Sequence, residues 1–386
     1  PRSRREMRTG AERLGIVTGV RGVRSGAFAQ GQQPLLRQQV QGPRGVAGVR
    51  RQGELRARGE LRELPEPQVK PGTIKIRVDY VAFCGSDLHV VDHGMDNVPT
   101  PHLLGHESCG TIVALGKGMA ELGWKLGDRV ACAGASPCGE CDDCKRGDDM
   151  FCKHRWRVRT FTEYALVRPN MIFRIPDGDD MLPYCLAEPC ACALRGVDLM
   201  EIPAGATVAL SGAGGVGSIL LNLLLLHGGT KVTVFEPVAS KRELALSLGA
   251  EYVVDPLTED TVARGKEITQ GRGYDMVFEA SGSPSAAPAM LDLVANKGKV
   301  MYFAVYPMQY ELPVNLYRLY QKEASIHTAF TTTFHYHRVM NLIPKLQTEK
   351  IIGKVLPLSQ GVEAFDLLRS SQYPKIVLEC SNHKPV

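Results

Sequence analysis

Cys84-Gly85-Ser86-Asp87-Leu88-His89 and Gly105-His106-Glu107 bring thiol, imidazole, hydroxyl and carboxylate groups together within 24 positions. Thiolate, imidazole and carboxylate form a donor set suited to Zn²⁺, which accepts S, N and O ligands. Three protein ligands leave a fourth position open, and an open zinc position is a catalytic one. The competing reading makes Cys84 a small buried hydrophobe and His106-Glu107 a surface pair.

A second cluster, Cys138, Cys141, Cys144 and Cys152, has the spacing C-x2-C-x2-C-x7-C in a loop containing Gly139 and Gly147. Two-residue spacings let successive thiolates turn towards one ion, and four thiolates close a tetrahedral, structural zinc site. An iron–sulfur cluster is the alternative for such spacings.

A third constellation, Ser211-Gly212-Ala213-Gly214-Gly215-Val216-Gly217, gives G-x-G-x-x-G after a predicted strand and at the head of a predicted helix. Gly212, Gly214, Gly215, Val216 and Gly217 would turn the backbone tightly and let a pyrophosphate rest on the helix N-terminus. Glu236 closes the next strand and would accept hydrogen bonds from the adenosine ribose, which favours NAD over NADP. Lys241 and Arg242 stand nearby and would blunt that preference if they face the cofactor, although a solvated helix face suits them too, Arg242 more than Lys241. At Leu186-Ala187-Glu188-Pro189, Glu188 opens another predicted helix as a cap or as a further metal ligand.

Together these parts describe one chemistry. Zinc would lower the pKa of an alcohol hydroxyl, and the carbinol hydride would pass to a nicotinamide. Ser86 is placed to take the released proton and His89 to pass it on, unless His89 is a surface histidine.

The elements that must position these residues fall into two kinds. Thr73–Val81, Thr111–Leu115, Asp128–Ala133, Tyr164–Val167 and Met171–Ile175 read as short strands of a compact β-barrel-like domain. From Pro203-Ala204-Gly205 strands alternate with helices: Thr207–Ser211, Lys231–Phe235, Tyr252–Val254, Met276–Glu279 and Lys299–Phe303 are the strands. That alternation predicts a doubly wound parallel sheet in an α/β protein. The tail is predicted to be mixed, with a helix near Gly361–Ser370 and a last strand at Lys375–Leu378.

Bulk properties exclude other classes. The chain has 386 residues, 44% hydrophobic and 23% charged, which is ordinary for a globular protein of about two domains. No apolar run approaches the roughly 18–20 residues that span a bilayer. Residues 1–60 carry 13 Arg and 4 Glu, a net +9, so the remainder is −4 and the basic pI implies no nucleic-acid partner. Eleven cysteines, four of them at metal spacing, favour a reducing, cytoplasmic setting. Residues 1–53 lack sustained periodicity and read as a disordered or non-native basic segment.

The three constellations, in this order, resemble the zinc-dependent medium-chain dehydrogenase/reductase superfamily over Leu61 to Cys380. The resemblance implies a GroES-like catalytic domain over 54–203, a Rossmann domain over 204–331 and a return to the catalytic domain over 332–386. It implies that Cys84, His106 and either Glu107 or Glu188 hold a catalytic zinc beside one structural zinc. A carboxylate at Glu188 is similar to the polyol branch, which includes sorbitol, iditol, butanediol and threonine dehydrogenases; such proteins are usually homotetramers or dimers. The implied substrate is a small secondary alcohol. The alternatives are a zinc-free quinone or enone reductase of the same superfamily, or a non-catalytic zinc-binding relative. Two departures stand out: the family's first strands are replaced by the Arg/Gly-rich segment, and the loop His154–Thr160 is short and holds three arginines. Those arginines, Arg155, Arg157 and Arg159, read as a solvated loop unless they face the cleft, where they would suit an anionic substrate.

Overall fold

A computed structural model describes residues 12–19, 58–93, 102–228, 230–332 and 334–381. Its strands are β1 (Glu12–Gly19), β2 (Arg58–Pro65), β3 (Ile74–Ala82), β4 (Glu107–Leu115), β5 (Arg129–Cys132), β6 (Ala135–Ser136), β7 (Trp156–Arg157), β8 (Tyr164–Val167) and β9 (Ile172–Arg174). They continue as β10 (Thr207–Ser211), β11 (Lys231–Phe235), β12 (Tyr252–Val254), β13 (Tyr274–Glu279), β14 (Val294–Tyr302), β15 (Ser325–Thr328), β16 (Ile352–Pro357) and β17 (Lys375–Glu379).

β3 is the axis of the first sheet, whose order is β16-β17-β3-β4-β5-β9 with β8 also paired to β3. The alternation that predicts β3 is seen as far as Val78, with Ile74, Ile76 and Val78 buried and Lys75 and Arg77 not; Asp79, expected on the polar face, is buried as well. Its last residue, Ala82, is flanked by Glu107 of β4 and Val377 of β17. A strand from the far end of the chain thus completes the sheet where the first constellation lies. This is the GroES-like part of the fold.

The second sheet is parallel throughout, with the order β12-β11-β10-β13-β14-β15. Strand order reverses beside β10, and ligands of doubly wound sheets bind at such a switch point, at the carboxyl ends of the strands. β10 ends there and leads into helix Gly215–Leu225, whose residues 217–224 are all buried. The predicted strands of this Rossmann-like part are all present, two of them longer than predicted: β13 begins at Tyr274 and β14 at Val294.

The leading segment corrects an expectation. Residues 12–19 are not outside the fold: β1 pairs antiparallel with β2 along all eight residues, and Ile16 and Val17 are fully buried. The first strands of the barrel are therefore supplied by β1 and β2. Burying each such side chain contributes about 1.5–3 kcal/mol, enough to hold a strand that an Arg/Gly-rich composition hides. The Ile16 amide donates to Phe161 O at 2.8 Å and the Thr18 amide to His102 O at 2.9 Å. The expectation of disorder or non-native sequence for 1–11 and 20–53 lies outside the described residues.

Candidate active site and metal centres

Two turns deliver the first constellation to one end of the first sheet. Cys84 lies between β3 and helix Gly85–His93, and His106 and Glu107 lie at the entry to β4. Gly105 makes the second turn possible: its φ is +86°, and a Cβ there would meet Phe161 N at 2.6 Å. One donor atom each from Cys84, His106 and Glu107 lie within 4.8 Å of one another. Sulfur, nitrogen and oxygen at that separation fit Zn²⁺ with bonds of about 2.0–2.3 Å after small adjustments.

Two residues hold these donors. Asp87, itself buried, accepts from the Cys84 amide at 3.0 Å and the Gly105 amide at 3.3 Å, and stands 3.6 Å from His106 Nδ1. A carboxylate behind a histidine fixes its tautomer and ring orientation. Burial works against charge on His106, but Asp87 and Cys84 together raise its pKa well above the ordinary imidazole value.

The second is Lys375, at the start of β17. Its Nζ donates to both oxygens of Glu107, at 2.7 and 2.5 Å, and to Phe83 O at 3.0 Å. Burial pushes the Glu107 carboxyl up to about 7 against the pull of this cation. Lys375 itself is lowered by burial, yet Glu107, Cys84 and Glu188 more than offset that and keep it protonated. Nothing near 84–107 in sequence signals Lys375; only the return of the tail to β3 brings it in.

Glu188 lies close by, outside the three-donor group. It sits in the first turn of helix Ala187–Met200 and does not cap it, since that helix has no side-chain cap bond. Its Oε1 accepts from the Cys192 thiol at 3.6 Å. Gly134 passes between the two: a Cβ there would lie 3.3 Å from Glu188 Cγ and 3.6 Å from His106 Cβ. Cys185 and Cys190 are buried as packing residues. Ser86 and His89 both lie on the exposed side of helix Gly85–His93.

The four cysteines of the lobe converge, with one sulfur from each within 4.8 Å of the others. Cys141 and Cys144 sulfurs are 3.5 Å apart and those of Cys138 and Cys144 3.9 Å. Tetrahedral bonds of about 2.3 Å place sulfurs about 3.8 Å apart, so the spacing suits a single ion. A four-iron cluster would bind each thiolate to a different iron and hold them wider. The amides of Glu140 and Cys141 draw the Cys138 thiol down to about 6, towards the thiolate that binds metal.

At the glycine turn, Gly212 has φ +91° and Gly217 packs so tightly that a Cβ would meet Gly212 O at 2.0 Å. Gly214 is the N-cap of the following helix, and Val216 is partly buried in its first turn. Glu236 is buried at the end of β11, accepting from the Ala213 amide at 2.8 Å and the Val238 amide at 2.9 Å. It therefore braces the turn as well as facing it. Arg242 is not on a solvated face: it donates to Glu236 O and Pro237 O and pairs with Asp255 at 3.1 Å. Lys241 is partly buried on the same helix.

Sequence reasoning missed Glu279. It is fully buried at the end of β13 and accepts from Ser211 Oγ, the Ser281 amide and hydroxyl, the Gly282 amide and the Tyr306 hydroxyl. A run of apolar strand residues ending in Glu-Ala-Ser-Gly was the available signal.

The loop after Cys152 also departs from expectation. Arg155 is tied to Cys152 O and Met150 O and stacks on Phe330, and Arg159 donates to His102 Nε2 at 2.8 Å. Of the three arginines, only Arg157 has an exposed side chain.

Comparison with known proteins agrees with this architecture. Residues 70–177 match the alcohol dehydrogenase GroES-like domain and residues 215–348 the zinc-binding dehydrogenase domain. The chain is 29% identical over 328 residues to a sorbitol dehydrogenase of Halalkalibacterium halodurans, covering 82% of this chain and 94% of that protein. It is 31% identical over 331 residues to an L-threonine 3-dehydrogenase of Pyrococcus horikoshii, with the same coverage. Among solved structures it is similar to a zinc-binding dehydrogenase of Clostridium scindens (TM-score 0.81, 35% identity, 84% of this chain and 95% of that one). A Sinorhizobium meliloti zinc-binding dehydrogenase bound to NADP is also similar (TM-score 0.79, 27% identity, 83% and 96%).

Proposed function

The chain belongs to the zinc-dependent medium-chain alcohol dehydrogenases, in their polyol branch, and from that premise we propose that it oxidises a secondary alcohol of a polyol, diol or amino alcohol with NAD. It is a zinc-type dehydrogenase using a nicotinamide cofactor; the zinc-free reductase reading is not favoured.

One observation carries the proposal. A Cβ on Gly215, in the dinucleotide turn, would meet Pro374 O at 2.6 Å and Lys375 carbons at 2.8 Å. Lys375 in turn grips Glu107. The two constellations are therefore neighbours joined through one lysine, as hydride transfer requires.

Cys84, His106 and Glu107 would hold the catalytic zinc, with Glu188 alongside, and Cys138, Cys141, Cys144 and Cys152 the structural one. When bound, zinc would supply the Lewis acidity that lowers the pKa of an alcohol hydroxyl, and a nicotinamide would supply the hydride acceptor. Asp87 orients His106 and Lys375 orients Glu107. Ser86, two residues past Cys84 and exposed, takes the released proton, and His89, one turn further along the same helix, passes it to water.

NAD is favoured over NADP because Glu236 would repel a 2′-phosphate while Arg242 is committed to Asp255 and two carbonyls. Lys241 is the remaining cation there. A homo-oligomer is supported by β15, the last strand of its sheet among the described residues, which carries exposed Ile326, and by exposed Leu316, Tyr317 and Tyr320 on the helix before it. No described helix is long and apolar enough to cross a membrane. The thiol-rich centres suit a reducing compartment such as the cytoplasm.

The test is NADH appearance with a panel of polyols, 1,2-diols and threonine, before and after chelation and zinc return, with NADP in parallel. Turnover that chelation abolishes and zinc restores is expected. Turnover that persists in fully zinc-free protein overturns the reading.

A further inference from the structure

The segment Arg157-Val158-Arg159-Thr160 runs along the wall of the donor cluster. The Val158 amide donates to Gly134 O at 3.1 Å, and Gly134 is the residue between His106 and Glu188. The Thr160 amide donates to Leu104 O at 3.2 Å and Gly105 O at 3.0 Å, two residues and one residue before His106. Two arginines flank the buried Val158 in this stretch.

Neither arginine has a carboxylate partner among the described residues. Arg159 gives its Nε to His102 Nε2 at 2.8 Å and Nη1 to Val158 O at 2.9 Å, which leaves Nη2 uncommitted. Arg157 has no side-chain hydrogen bond or ion pair among the described residues. The carboxylates at hand are already engaged: Asp87 by His106 and two amides, and Glu107 by Lys375. Because its Nε2 accepts from Arg159, His102 is neutral; burial, then Arg159 and Arg157, push its pKa down to about 4. Burial and Arg157 likewise lower Arg159, to about 10, where it still carries its charge at neutral pH. Two guanidinium groups carried beside the donor cluster, with Asp87 the only carboxylate whose field reaches Arg159 among the described residues and itself engaged by His106, match the fork geometry of an oxyanion.

We propose that Arg157 and Arg159 form an anion subsite beside the donor cluster, taking a phosphate or carboxylate group carried by the alcohol substrate. The inference rests on the dehydrogenase reading and names its substrate class. The anion docks on the two guanidinium groups, and its remote binding energy orients the carbinol towards the zinc ligands.

The experiment uses the zinc-loaded full chain with NAD and matched neutral and charged substrates: sorbitol, sorbitol 6-phosphate and gluconate, then other polyols with their phosphate esters. At least one anionic member is expected to exceed its neutral partner at least tenfold in kcat/KM, and which one does identifies the anion. Arg157→Gln and Arg159→Gln are each expected to collapse that ratio at least tenfold through KM, with partial rescue by Arg159→Lys. Equal use of charged and neutral members, or variants that lower both alike, overturns the subsite. Calorimetry with inorganic phosphate separates the two readings. Phosphate binding that Arg157→Gln removes, in a protein that turns over nothing, keeps the subsite and sinks the dehydrogenase. No phosphate binding, or binding that both arginine variants retain, sinks the subsite.

Discussion

The two thiol-bearing centres are built on opposite plans. The lobe draws four identical donors from 15 consecutive residues, in a loop whose helix Asp142–Lys145 buries nothing. The Cys84–His106–Glu107 centre draws three different donors from two turns, and its carboxylate leans on a lysine 268 positions away. A local, homogeneous site can close around an ion and serve as a brace. A dispersed, heterogeneous site keeps an open coordination position and a network of partners that tune it. On the proposed function, the difference separates a structural site from a chemical one within one chain.

The sharpest way to break this comparison is to remove one sulfur from each centre. Cys84→Ala is expected to cut kcat/KM by roughly a thousandfold or more, since Lewis-acid assistance contributes several kcal/mol, while leaving the melting temperature nearly unchanged. Cys144→Ser is expected to lower the melting temperature by roughly 5–10 °C while the folded fraction retains its kcat. Metal analysis should find one zinc per chain in each variant against two in the parent. A Cys144→Ser protein that folds normally but has lost its activity would reverse the assignment.

Next in size is the Lys375–Glu107 pair, which is nearly inaccessible to solvent. Lys375→Met strands a buried carboxylate and should cost about 3–5 kcal/mol in chemical denaturation. Adding Glu107→Gln should recover more than half of that, because the uncompensated charge is gone. If the double variant is no better than the single, the lysine's contribution is packing against Gly215 and not charge.

This contrast also explains what could be read in the chain beforehand. Spacing within one loop or one βαβ unit is visible in a sequence, so the four cysteines, the glycine turn, Glu236 and the strands around them were legible. Lys375 was not, because it is one lysine at the start of a predicted strand and only sheet closure joins it to Glu107. Asp87 was visible as a residue but not as the brace of His106. β1 was missed for another reason: Leu14-Gly15-Ile16-Val17 is too short an apolar run to stand out among arginines and glycines, and its backbone partners Phe161 and His102 lie far along the chain. Glu107 and Glu188 could not be ranked by spacing; the three-dimensional grouping places Glu107 with Cys84 and His106.

A third variant asks whether a cation is what makes a buried carboxylate costly to disturb. Glu279 is as buried as Glu107 but is held by hydroxyl and amide donors. Tyr306→Phe removes one donor of several and is expected to cost about 1.5–3 kcal/mol, less than Lys375→Met. Equal losses in the two variants would mean that donor number, and not a full counter-charge, sets the cost at both sites.

The smallest effect is expected where a polar group near the open centre has no protein partner. Thr160 is fully buried against Leu104 and Gly105, and its hydroxyl has no hydrogen-bond partner among the described residues. A buried hydroxyl without a partner is a liability, and an isosteric apolar group removes it without opening a cavity. Thr160→Val should therefore leave stability within about 1 kcal/mol of the parent, on the stabilising side, whereas Thr160→Ala also leaves space behind and should be less stable than Thr160→Val. Urea denaturation of the three proteins decides it. A Thr160→Val variant destabilised by about 2 kcal/mol or more would show that the hydroxyl has a partner, placing a polar ligand or ordered water between Thr160 and the donor cluster. The wall of the open centre would then be as fully satisfied as the closed lobe, and the contrast between the two plans would rest on their ligands alone.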